Sequence, residues 1–436
     1  MKAAESVSLR QRKAGAWTVA LVWLLRIAVG GTFIVSGWAK AVDPWGGLFK
    51  FEDYLAAMDV TLARPVVLIG VCALFLYEMC CGVMVLMGTF RRTVTWLLAA
   101  FMAVMTALTV WIYASDPVSD CGCFGDLWVI SNGATFAKNI VLCVLVGLLV
   151  WLNPRVACGI APRLQWTVPA FTGFYAMAIA VVGFNWQPLV DFRPFAVGER
   201  LTARAGDEDV RYAYVRNGER KEFSADSLPG DDWEFVERVE APKTANSLVV
   251  YDGEDEATSL LSEWSHEPGG LLILNIPEPR HHGISRSRQA NLTSEFMTEN
   301  DGMMVALIGE GDADAWRQAV DAHYDVFTAE GTDLKMLSRG DASYVFMRND
   351  TVQWKYNINA LNPDTLPVYD IKAIERGHWL RNLTLIYLAS MLVVFLLSFF
   401  GLKIIKPRQP EAKKKAEDAN GGAGGSDCGP DSPGEA

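Results

Sequence analysis

Six long apolar segments, separated by polar stretches, dominate the hydrophobic pattern of the chain. Each segment holds enough residues to cross the roughly 30 Å hydrocarbon layer of a bilayer as an α-helix. The first is too long to be the apolar core of a cleaved signal peptide, so we expect it to be retained. The pattern therefore predicts membrane-spanning helices over residues 17–38, 65–88, 93–114, 134–152, 166–187 and 382–404.

A different pattern lies between the fifth and sixth segments. Residues 188–245 are polar, with a turn signal at residues 216–218 that is typical of a β-hairpin, and we expect a small β-rich segment there. From residue 246 to residue 358, short apolar strands alternate with helices, one of which is expected at residues 255–266. Such alternation favours an α/β domain built on a central sheet.

The loop after the first apolar segment carries a helical pattern of its own. Leu48, Phe51, Leu55 and Met58 recur at helical spacing in the stretch that begins at Asp43. We expect a short amphipathic helix that lies at the membrane interface.

Basic residues mark one side of the predicted membrane helices. They lie before the first segment, in the connection between the second and third, in the connection between the fourth and fifth, and after the sixth. Because cytoplasmic loops are enriched in Lys and Arg, we expect both termini in the cytoplasm and residues 188–381 in the periplasm, with the helices in a bacterial inner (plasma) membrane. Residues 1–16 are then a cytoplasmic N-terminus, and residues 407–436 a disordered cytoplasmic tail. The basic residues are Lys2, Arg10, Arg12, Lys13, Arg91, Arg92, Arg155, Arg163, Lys403, Lys406, Arg408, Lys413, Lys414 and Lys415.

Composition narrows the choice of function. The chain has 436 residues, of which 51% are hydrophobic, and its net charge is −11. Nucleic-acid binding needs a basic surface, which an acidic chain rarely provides, so we do not expect nucleic acid as a partner. The long apolar segments make the lipid bilayer an expected partner. None of the eight cysteines lies between residues 159 and 427. That distribution excludes a disulfide-rich secreted scaffold.

Two cysteines one glycine apart, Cys121 and Cys123, lie on the polar connection between the third and fourth segments. A disulfide between them would close a tight ring, because the Cα atoms must come within about 6 Å of each other with facing Cβ vectors. Gly122 has no Cβ and permits that bend. A strained ring is easier to reduce than a relaxed structural disulfide, so the pair is a candidate catalytic site. The alternative is a buried or metal-binding pair without turnover, although two ligands alone do not complete a zinc site.

Two charged residues fall deep within the apolar segments. Arg26 lies nine positions after the start of the first segment, and Glu78 lies ten positions before the end of the second. At 1.5 Å per residue, both are expected at a depth of about 14 Å. Because an unpaired charge in hydrocarbon is costly, we predict that they pair with each other. The pair is either a structural lock between helices or a proton or ligand site, and the sequence leaves both open.

Further polar residues lie near the cysteine pair. Lys138 and Asn139 begin the fourth segment on the same side of the membrane. A lysine there could lower the pKa of a thiol by favouring the thiolate, while the alternative is that it snorkels to the interface. Cys72 and Cys143 are candidates for resolving the pair, although a cysteine in an apolar helix is most often a small hydrophobe.

The remaining cysteines and histidines point to no further site. Cys80 and Cys81 are expected too deep toward the cytoplasm to exchange with Cys121. His281 and His282 are adjacent in sequence, a spacing that rarely converges on one metal ion, and no cysteine accompanies them. We therefore expect no metal site.

Two stretches, residues 31–44 and residues 120–126 with the following residues 135–139, resemble the DoxX family, and more closely its MauE-like redox-associated branch. Glu78 and Gly82 carry the same resemblance. It implies a four-helix membrane domain over residues 17–156, and thiol or quinone redox processes connected with the maturation of exported disulfide proteins. A membrane quinone is then the expected cofactor. The candidate cofactor-binding residues are Arg26, Glu78, Lys138 and Asn139.

Residues 246–358 resemble a thioredoxin-like domain in the order of their elements. Where such a domain carries Cys-x-x-Cys, this chain has residues 277–283, which contain no cysteine. The proline expected before the strand at Ser343 is replaced by residues 340–342. A domain without a thiol cannot exchange disulfides, so it would be a docking platform at most. Residues 191–195 also resemble a feature of long DoxX-type proteins from Bacteroidetes.

Two functions follow from these observations for a helical membrane bundle with an extracytoplasmic thioredoxin-like domain. In the first, Cys121 and Cys123 pass electrons from an exported thiol protein to a membrane quinone. In the second, the chain is a non-catalytic scaffold whose residues 188–381 recruit envelope proteins. The sequence leaves open whether the chain is an enzyme.

Overall fold

The computed structural model describes most of the membrane-spanning and sheet-forming residues. It covers residues 15–115, 122–128, 130–156, 159–201, 211–216, 219–224, 233–239, 248–279, 287–309, 311, 313–358 and 376–404. The predictions for residues 1–14, Cys121, His281, His282 and the tail after residue 404 lie outside these ranges.

The N-terminal part of the structure is a bundle of long helices. Its elements are α1 (Ala16–Val42), α2 (Pro44–Ala57), α3 (Arg64–Met87), α4 (Arg91–Ser115), α5 (Asn132–Leu152) and α6 (Thr167–Asn185). With a later helix that includes residues 378–400, the described part of the chain holds six helices long and apolar enough to cross a membrane. The six predicted membrane helices are thereby confirmed as helices, and the chain is a multi-pass membrane protein.

Helices α1 and α3 pack with their backbones in close approach. A Cβ atom on Gly37 would lie 2.7 Å from the backbone nitrogen of Met79. A Cβ atom on Gly82 would lie 2.8 Å from the backbone nitrogen of Ile34. Small residues at such a crossing permit the tight packing that holds helices together in lipid. The contact fixes the register of the two helices.

Helix α2 is the expected short helix after the first membrane segment. The Asp43 side chain accepts a hydrogen bond from the Gly46 backbone nitrogen (2.9 Å) and caps the helix, with Pro44 at its first position. Trp45 is buried and stacks on Phe184 of α6, with ring centroids 4.7 Å apart. Helix α2 is therefore fixed against the bundle on one face.

Residues 211–239 contribute a small antiparallel sheet. Strands β1 (Arg211–Arg216), β2 (Glu219–Ser224) and β3 (Glu234–Val239) are arranged in the order β2-β1-β3. Arg216 pairs with Glu219, which confirms the predicted hairpin.

A seven-stranded mixed sheet forms the core of residues 248–358, which we call the sheet domain. Its strands lie in the order β10-β9-β6-β7-β8-β4-β5, and only the β6–β7 and β7–β8 pairs are parallel. All six residues of β6 are buried, because the sheet is covered on both faces. The elements, in chain order, are β4 (Val250–Asp252), β5 (Asp255–Glu256), α7 (Thr258–Ser265), β6 (Leu271–Ile276), α8 (Ser287–Glu299), β7 (Met303–Ile308), α9 (Ala313–Val320), β8 (Asp325–Ala329), α10 (Gly331–Leu337), β9 (Ser343–Arg348) and β10 (Thr351–Asn357), followed by the membrane helix α11 (Arg376–Ile404).

The predicted alternation of strands and helices is confirmed, with one difference. The helix expected at residues 255–266 begins only at Thr258, because Asp255 and Glu256 pair with β4 as a short strand.

Candidate functional site

The described part of the Cys-Gly-Cys motif lies in a loop between α4 and α5, which we call the cysteine loop (residues 122–128). The backbone carbonyl oxygen of Cys123 accepts a hydrogen bond from the Ser36 hydroxyl (2.6 Å) and one from the Lys40 ammonium (2.5 Å). Ser36 and Lys40 are four residues apart on α1 and therefore share one helix face. Helix α1 thus holds the cysteine loop directly.

Glu78 of α3 completes this anchor. Its Oε2 atom lies 2.9 Å from the Lys40 Nζ atom and 3.1 Å from the Ser36 hydroxyl oxygen, whose single proton it shares with the Cys123 carbonyl. The two charged side chains are only 8% (Lys40) and 5% (Glu78) exposed. A buried ion pair is tolerated when further hydrogen bonds satisfy it, as Ser36 and the Cys123 carbonyl do here. We call Ser36, Lys40 and Glu78 the helix anchor.

The predicted pairing of Arg26 with Glu78 is wrong. Arg26 instead donates to the Asn153 side chain (2.8 Å) and to the Val156 carbonyl (3.4 Å), at the opposite end of the bundle. The pairing requires the ends of α1 and α3 to be level, but the guanidinium of Arg26 lies beside Gly88, the residue that caps the end of α3. Ser36 faces Glu78, ten residues or about 15 Å further along α1.

Two of the other predicted residues lie beside the anchor. A small cavity of about 30 Å³ is lined by Glu78, Cys123, Lys138 and Asn139, among others. The Lys138 ammonium lies 4.5 Å from the centre of the Phe124 ring in the cysteine loop, a cation–π contact. The structure therefore brings together four of the residues that the sequence singled out.

Asn139 is held at the start of α5 by a polar contact between helices. Its side-chain nitrogen donates to the Thr109 hydroxyl of α4 at 2.7 Å, and it is 3% exposed. This contact links the two helices on either side of the cysteine loop.

A second anchor reaches the cysteine loop from the sheet domain. The guanidinium of Arg339 contacts Asp126 in the loop and Asp43 at the cap of α2, with 2.7 Å between Arg339 Nη2 and Asp43 Oδ2. The Arg339 side chain is 4% exposed. Burial disfavours its charge, but Asp43 and Asp126 outweigh that effect and hold the pKa of Arg339 above its usual value.

Sequence reasoning missed Ser36, Lys40, Asp43, Asp126 and Arg339 as functional residues. A signal was present for Lys40, because it follows Ser36 at helical spacing near the end of the first apolar segment. Arg339 gave no signal, because it lies 296 positions from Asp43 and no local pattern encodes such a contact.

A larger cavity of about 460 Å³ opens beside the cysteine loop. Phe49, Met105 and Leu108 contribute to its apolar walls, and Cys123 lies on its lining together with Arg339. A volume of this size, mostly apolar with a few polar groups, is typical of small-molecule sites. Among the cysteines of the described residues, Cys123 alone lines either of these cavities.

The other thiols of the described helices have contacts away from the cavities. Cys143 lies 3.2 Å from the Thr106 hydroxyl, and Cys80 lies 3.6 Å from the Pro169 carbonyl. Cys72 is partly buried and packs in an apolar cluster with Val71 and Phe75. The role of Cys72 or Cys143 as a resolving thiol stays a prediction.

A further charged cluster joins the segment after α6 to the sheet domain. The Asp191 carboxylate binds Arg193 (2.6 Å) and Lys355 of β10 (3.0 Å). Burial disfavours ionisation of Asp191, but the two cations outweigh it and hold the pKa of that carboxyl below its usual range. In the described residues, no group of three or more His, Cys, Asp or Glu side chains could hold a metal ion.

Comparison with known families agrees with the membrane part of this description. The sequence model of the family described as "Methylamine utilisation protein MauE" matches residues 18–152, which extend from the first turn of α1 to the end of α5. A second family, described as "Domain of unknown function (DUF8463)", matches residues 209–242, where the small sheet lies. No curated protein and no solved structure matches the chain. The chain is thus a multi-pass membrane protein with a MauE-like region, while the DoxX assignment and the thioredoxin-like identity stay predictions.

Proposed function

We propose that this protein is a membrane thiol–disulfide oxidoreductase in which Cys121 and Cys123 alternate between a dithiol and a disulfide. The observation that supports this most strongly is the position of Cys123. Its carbonyl is held by a buried ion pair, and the residue lines a cavity of about 460 Å³. A loop that only connects two helices does not require a buried ion pair. Because burying charges costs free energy, the pair points to a further role for the loop.

In the first half of the proposed reaction, an exported thiol protein and the Cys121–Cys123 disulfide are the only reactants. A thiolate of an exported protein attacks one sulfur of the Cys121–Cys123 disulfide, forms a mixed disulfide and releases the other cysteine as a thiolate. A second thiolate of the exported protein then attacks the mixed disulfide. The exported protein leaves with a new disulfide, and Cys121 and Cys123 are left as a dithiol. Two electrons and two protons have moved to the membrane protein.

The helix anchor and Lys138 have defined tasks in this scheme. Lys40 and Ser36 fix the Cys123 backbone, so that the sulfur of the loop is presented in one position. Lys138 places a positive charge on the loop at Phe124, where it favours the thiolate over the thiol. Effective exchange depends on the thiolate fraction and on access to the sulfur.

A membrane quinone is the electron acceptor that we propose for reoxidation of the dithiol. The larger cavity fits such a group, because Phe49, Met105 and Leu108 can contact an apolar ring while Lys335, also on its lining, can donate a hydrogen bond to an oxygen. When bound, a quinone would supply the capacity to take up two electrons and two protons. Arg26 lies at the other end of the bundle and has no part in this site. Glu78, Lys138 and Asn139 line the smaller cavity, which shares Cys123 with the larger one.

The proposed location is the inner membrane of a bacterium, with both termini in the cytoplasm. The distribution of Lys and Arg supports this orientation. The cysteine loop and the sheet domain would then face the periplasm, a compartment in which disulfides form and persist.

Trapping of a mixed disulfide tests the proposal. The variant Cys123→Ser, with Cys121 retained, and its counterpart Cys121→Ser are produced in cells and analysed by non-reducing electrophoresis. We expect a thiol-sensitive adduct with an exported protein in at least one variant, and none in the double variant. Absence of an adduct from both single variants, with an unchanged thiol content of the envelope, would contradict the redox function.

A non-catalytic scaffold is the second candidate. It is supported by one observation, namely that the sequence from residue 159 to residue 427 contains no cysteine, so the sheet domain cannot exchange disulfides. This function predicts that replacing both Cys121 and Cys123 leaves the recovery of envelope partners unchanged. The oxidoreductase function predicts that the same replacement abolishes the mixed disulfides with exported proteins.

A further inference from the structure

We propose that the sheet domain positions the cysteine loop of the same molecule, and that it does so through the contacts of Arg339. This inference rests on the proposed function, since it concerns how the same cysteines are presented. It gives a role to a domain that has no thiol of its own.

The geometry of Arg339 supports a link between three parts of the chain. Its Nε atom donates to both carboxylate oxygens of Asp43, at 3.1 Å and 2.9 Å, and its Nη2 atom contacts Asp126. Asp43 caps α2, and Asp126 lies three residues after Cys123 in the cysteine loop. One buried guanidinium therefore joins the sheet domain, the bundle and the loop.

The backbone of Arg339 is itself held from the membrane part. The Gln187 side chain, which follows α6, donates to the Arg339 carbonyl at 2.6 Å and accepts from the Arg339 backbone nitrogen at 3.0 Å. Gln187 is 1% exposed. This double contact fixes the base of the arginine side chain, so a guanidinium at its tip has a defined position.

The sequence at the start of α2 makes room for the guanidinium. A Cβ atom on Gly46 would lie 2.8 Å from the Nη2 atom of Arg339 and 2.6 Å from Oδ2 of Asp43. Only glycine at this position permits the approach. The chain therefore provides a carboxylate, a helix cap and an opening within the four residues Asp43, Pro44, Trp45 and Gly46.

A second group of charges holds the same edge of the sheet domain to the bundle. Arg64, at the start of α3, binds Glu52 of α2 (2.8 Å), Glu278 (3.2 Å) and Asp341. Glu278 follows the carboxyl end of β6, and Asp341 precedes β9. This is the edge at which a thioredoxin-like domain was expected to carry its exchange site, and here the membrane helices occupy it. This edge of the sheet domain is therefore contacted by helices of the same chain.

The loop itself is poorly suited to keep one shape without these contacts. Gly122 and Gly125 both have positive φ angles, +60° and +54°, which are conformations that glycine adopts without strain. Glycines leave the backbone free to move, so the position of Cys123 depends on contacts from outside the loop. The helix anchor holds Cys123, and Arg339 holds Asp126.

The test measures the reactivity of the cysteine pair rather than turnover. In the full chain, reconstituted in lipid nanodiscs, the cysteines other than Cys121 and Cys123 are replaced by alanine, and the rate of alkylation of the reduced loop is followed against pH by mass spectrometry. Arg339→Met leaves two carboxylates beside the loop without their cation, which disfavours the thiolate. We expect alkylation to slow by about tenfold at neutral pH, which corresponds to a shift of the profile by about one pH unit.

Matched variants make the outcome specific. Arg317→Met removes an arginine from an exposed position on α9 of the same domain and should leave the profile unchanged. Arg339→Lys should restore part of the rate because a cation still reaches Asp126. Asp126→Asn introduced into Arg339→Met relieves the uncompensated charge but does not restore the contact, so its recovery should stay incomplete.

Identical profiles for Arg339→Met and the unsubstituted chain would overturn the proposal. If Arg339→Met does not fold, Asp126→Asn alone decides, because Asp126 is 39% exposed and its loss spares the rest of the fold. An unchanged alkylation rate in that variant would also overturn the proposal. A changed alkylation profile without any mixed disulfide in cells would leave the positioning role standing and remove the redox function, so the two failures are distinguishable.

Discussion

Replacement of Lys40 by methionine is the sharpest perturbation of the helix anchor. The Lys40 ammonium makes three contacts, with Ser36 at 2.8 Å, with Glu78 at 2.9 Å and with the Cys123 carbonyl at 2.5 Å. Methionine has a similar length and no charge. The substitution leaves the Glu78 carboxylate, 5% exposed, without its cation.

The expected loss of stability follows from that uncompensated charge. Removal of one partner of a buried ion pair costs about 3–5 kcal/mol, whereas replacement of both partners by apolar residues is often close to neutral. We therefore expect Lys40→Met to destabilise the bundle by about 3–5 kcal/mol, and Lys40→Met with Glu78→Leu to recover at least half of that loss. Glu78→Gln alone should also destabilise, because it removes the carboxylate that Lys40 faces.

Two measurements on the same proteins separate stability from loop position. Unfolding in mixed micelles, followed by tryptophan fluorescence, gives the free energy of unfolding. The alkylation rate of the cysteine loop reports whether the Cys123 backbone is still held. The double variant should be nearly as stable as the unsubstituted protein and yet show an altered alkylation rate, because no ammonium reaches the Cys123 carbonyl.

The reasoning would be refuted by a Lys40→Met protein of unchanged stability. It would be refuted equally by a double variant that is as unstable as Lys40→Met, since the buried charge would then not be the cause of the loss.

Three further predictions follow from other parts of the structure. Gly82→Val should destabilise the bundle by roughly 1–3 kcal/mol through overpacking against α1, while Gly70→Val, where a Cβ atom meets nothing within 4 Å, should have little effect on unfolding in the same micelles. Arg26→Gln should weaken the end of the bundle at Asn153 and leave the alkylation rate of the cysteine loop unchanged; a change in that rate would contradict the separation of Arg26 from the site. The Asp191 carboxyl has a pKa below its usual value, so its contribution to stability is complete above the unfolded pKa of about 4 and is lost as the pH falls toward the folded pKa. Asp191→Asn should therefore lower the thermal midpoint at pH 7 and reduce its dependence on pH below about 4, and an equally steep acid dependence would contradict the role of Asp191.

The sequence was sufficient for the elements that depend on local periodicity. Long apolar segments predicted the six membrane helices, and alternation of short apolar strands with helices predicted the sheet domain. The hairpin signalled at residues 216–218 also follows from local chemistry. Such features are encoded within a few neighbouring residues, so they can be read without a structure.

The helix register could not be predicted in the same way. Equal distances from the ends of two helices placed Arg26 opposite Glu78, but the register is set by close backbone contacts at Gly37 and Gly82. Lys40, near the end of α1, therefore became the partner of Glu78. The role of Arg339 was also beyond the sequence, because it depends on a contact across 213 positions to Asp126.

The central claim, electron transfer through the cysteine pair, is tested most directly by the purified protein in nanodiscs with a reduced dithiol peptide and a soluble quinone. Quinone reduction is followed by absorbance, and peptide disulfide is counted by mass spectrometry. The account predicts one peptide disulfide for each quinone reduced, with the reaction abolished in Cys121→Ser and in Cys123→Ser. Equal rates of quinone reduction in the unsubstituted protein and in the two cysteine variants would contradict it.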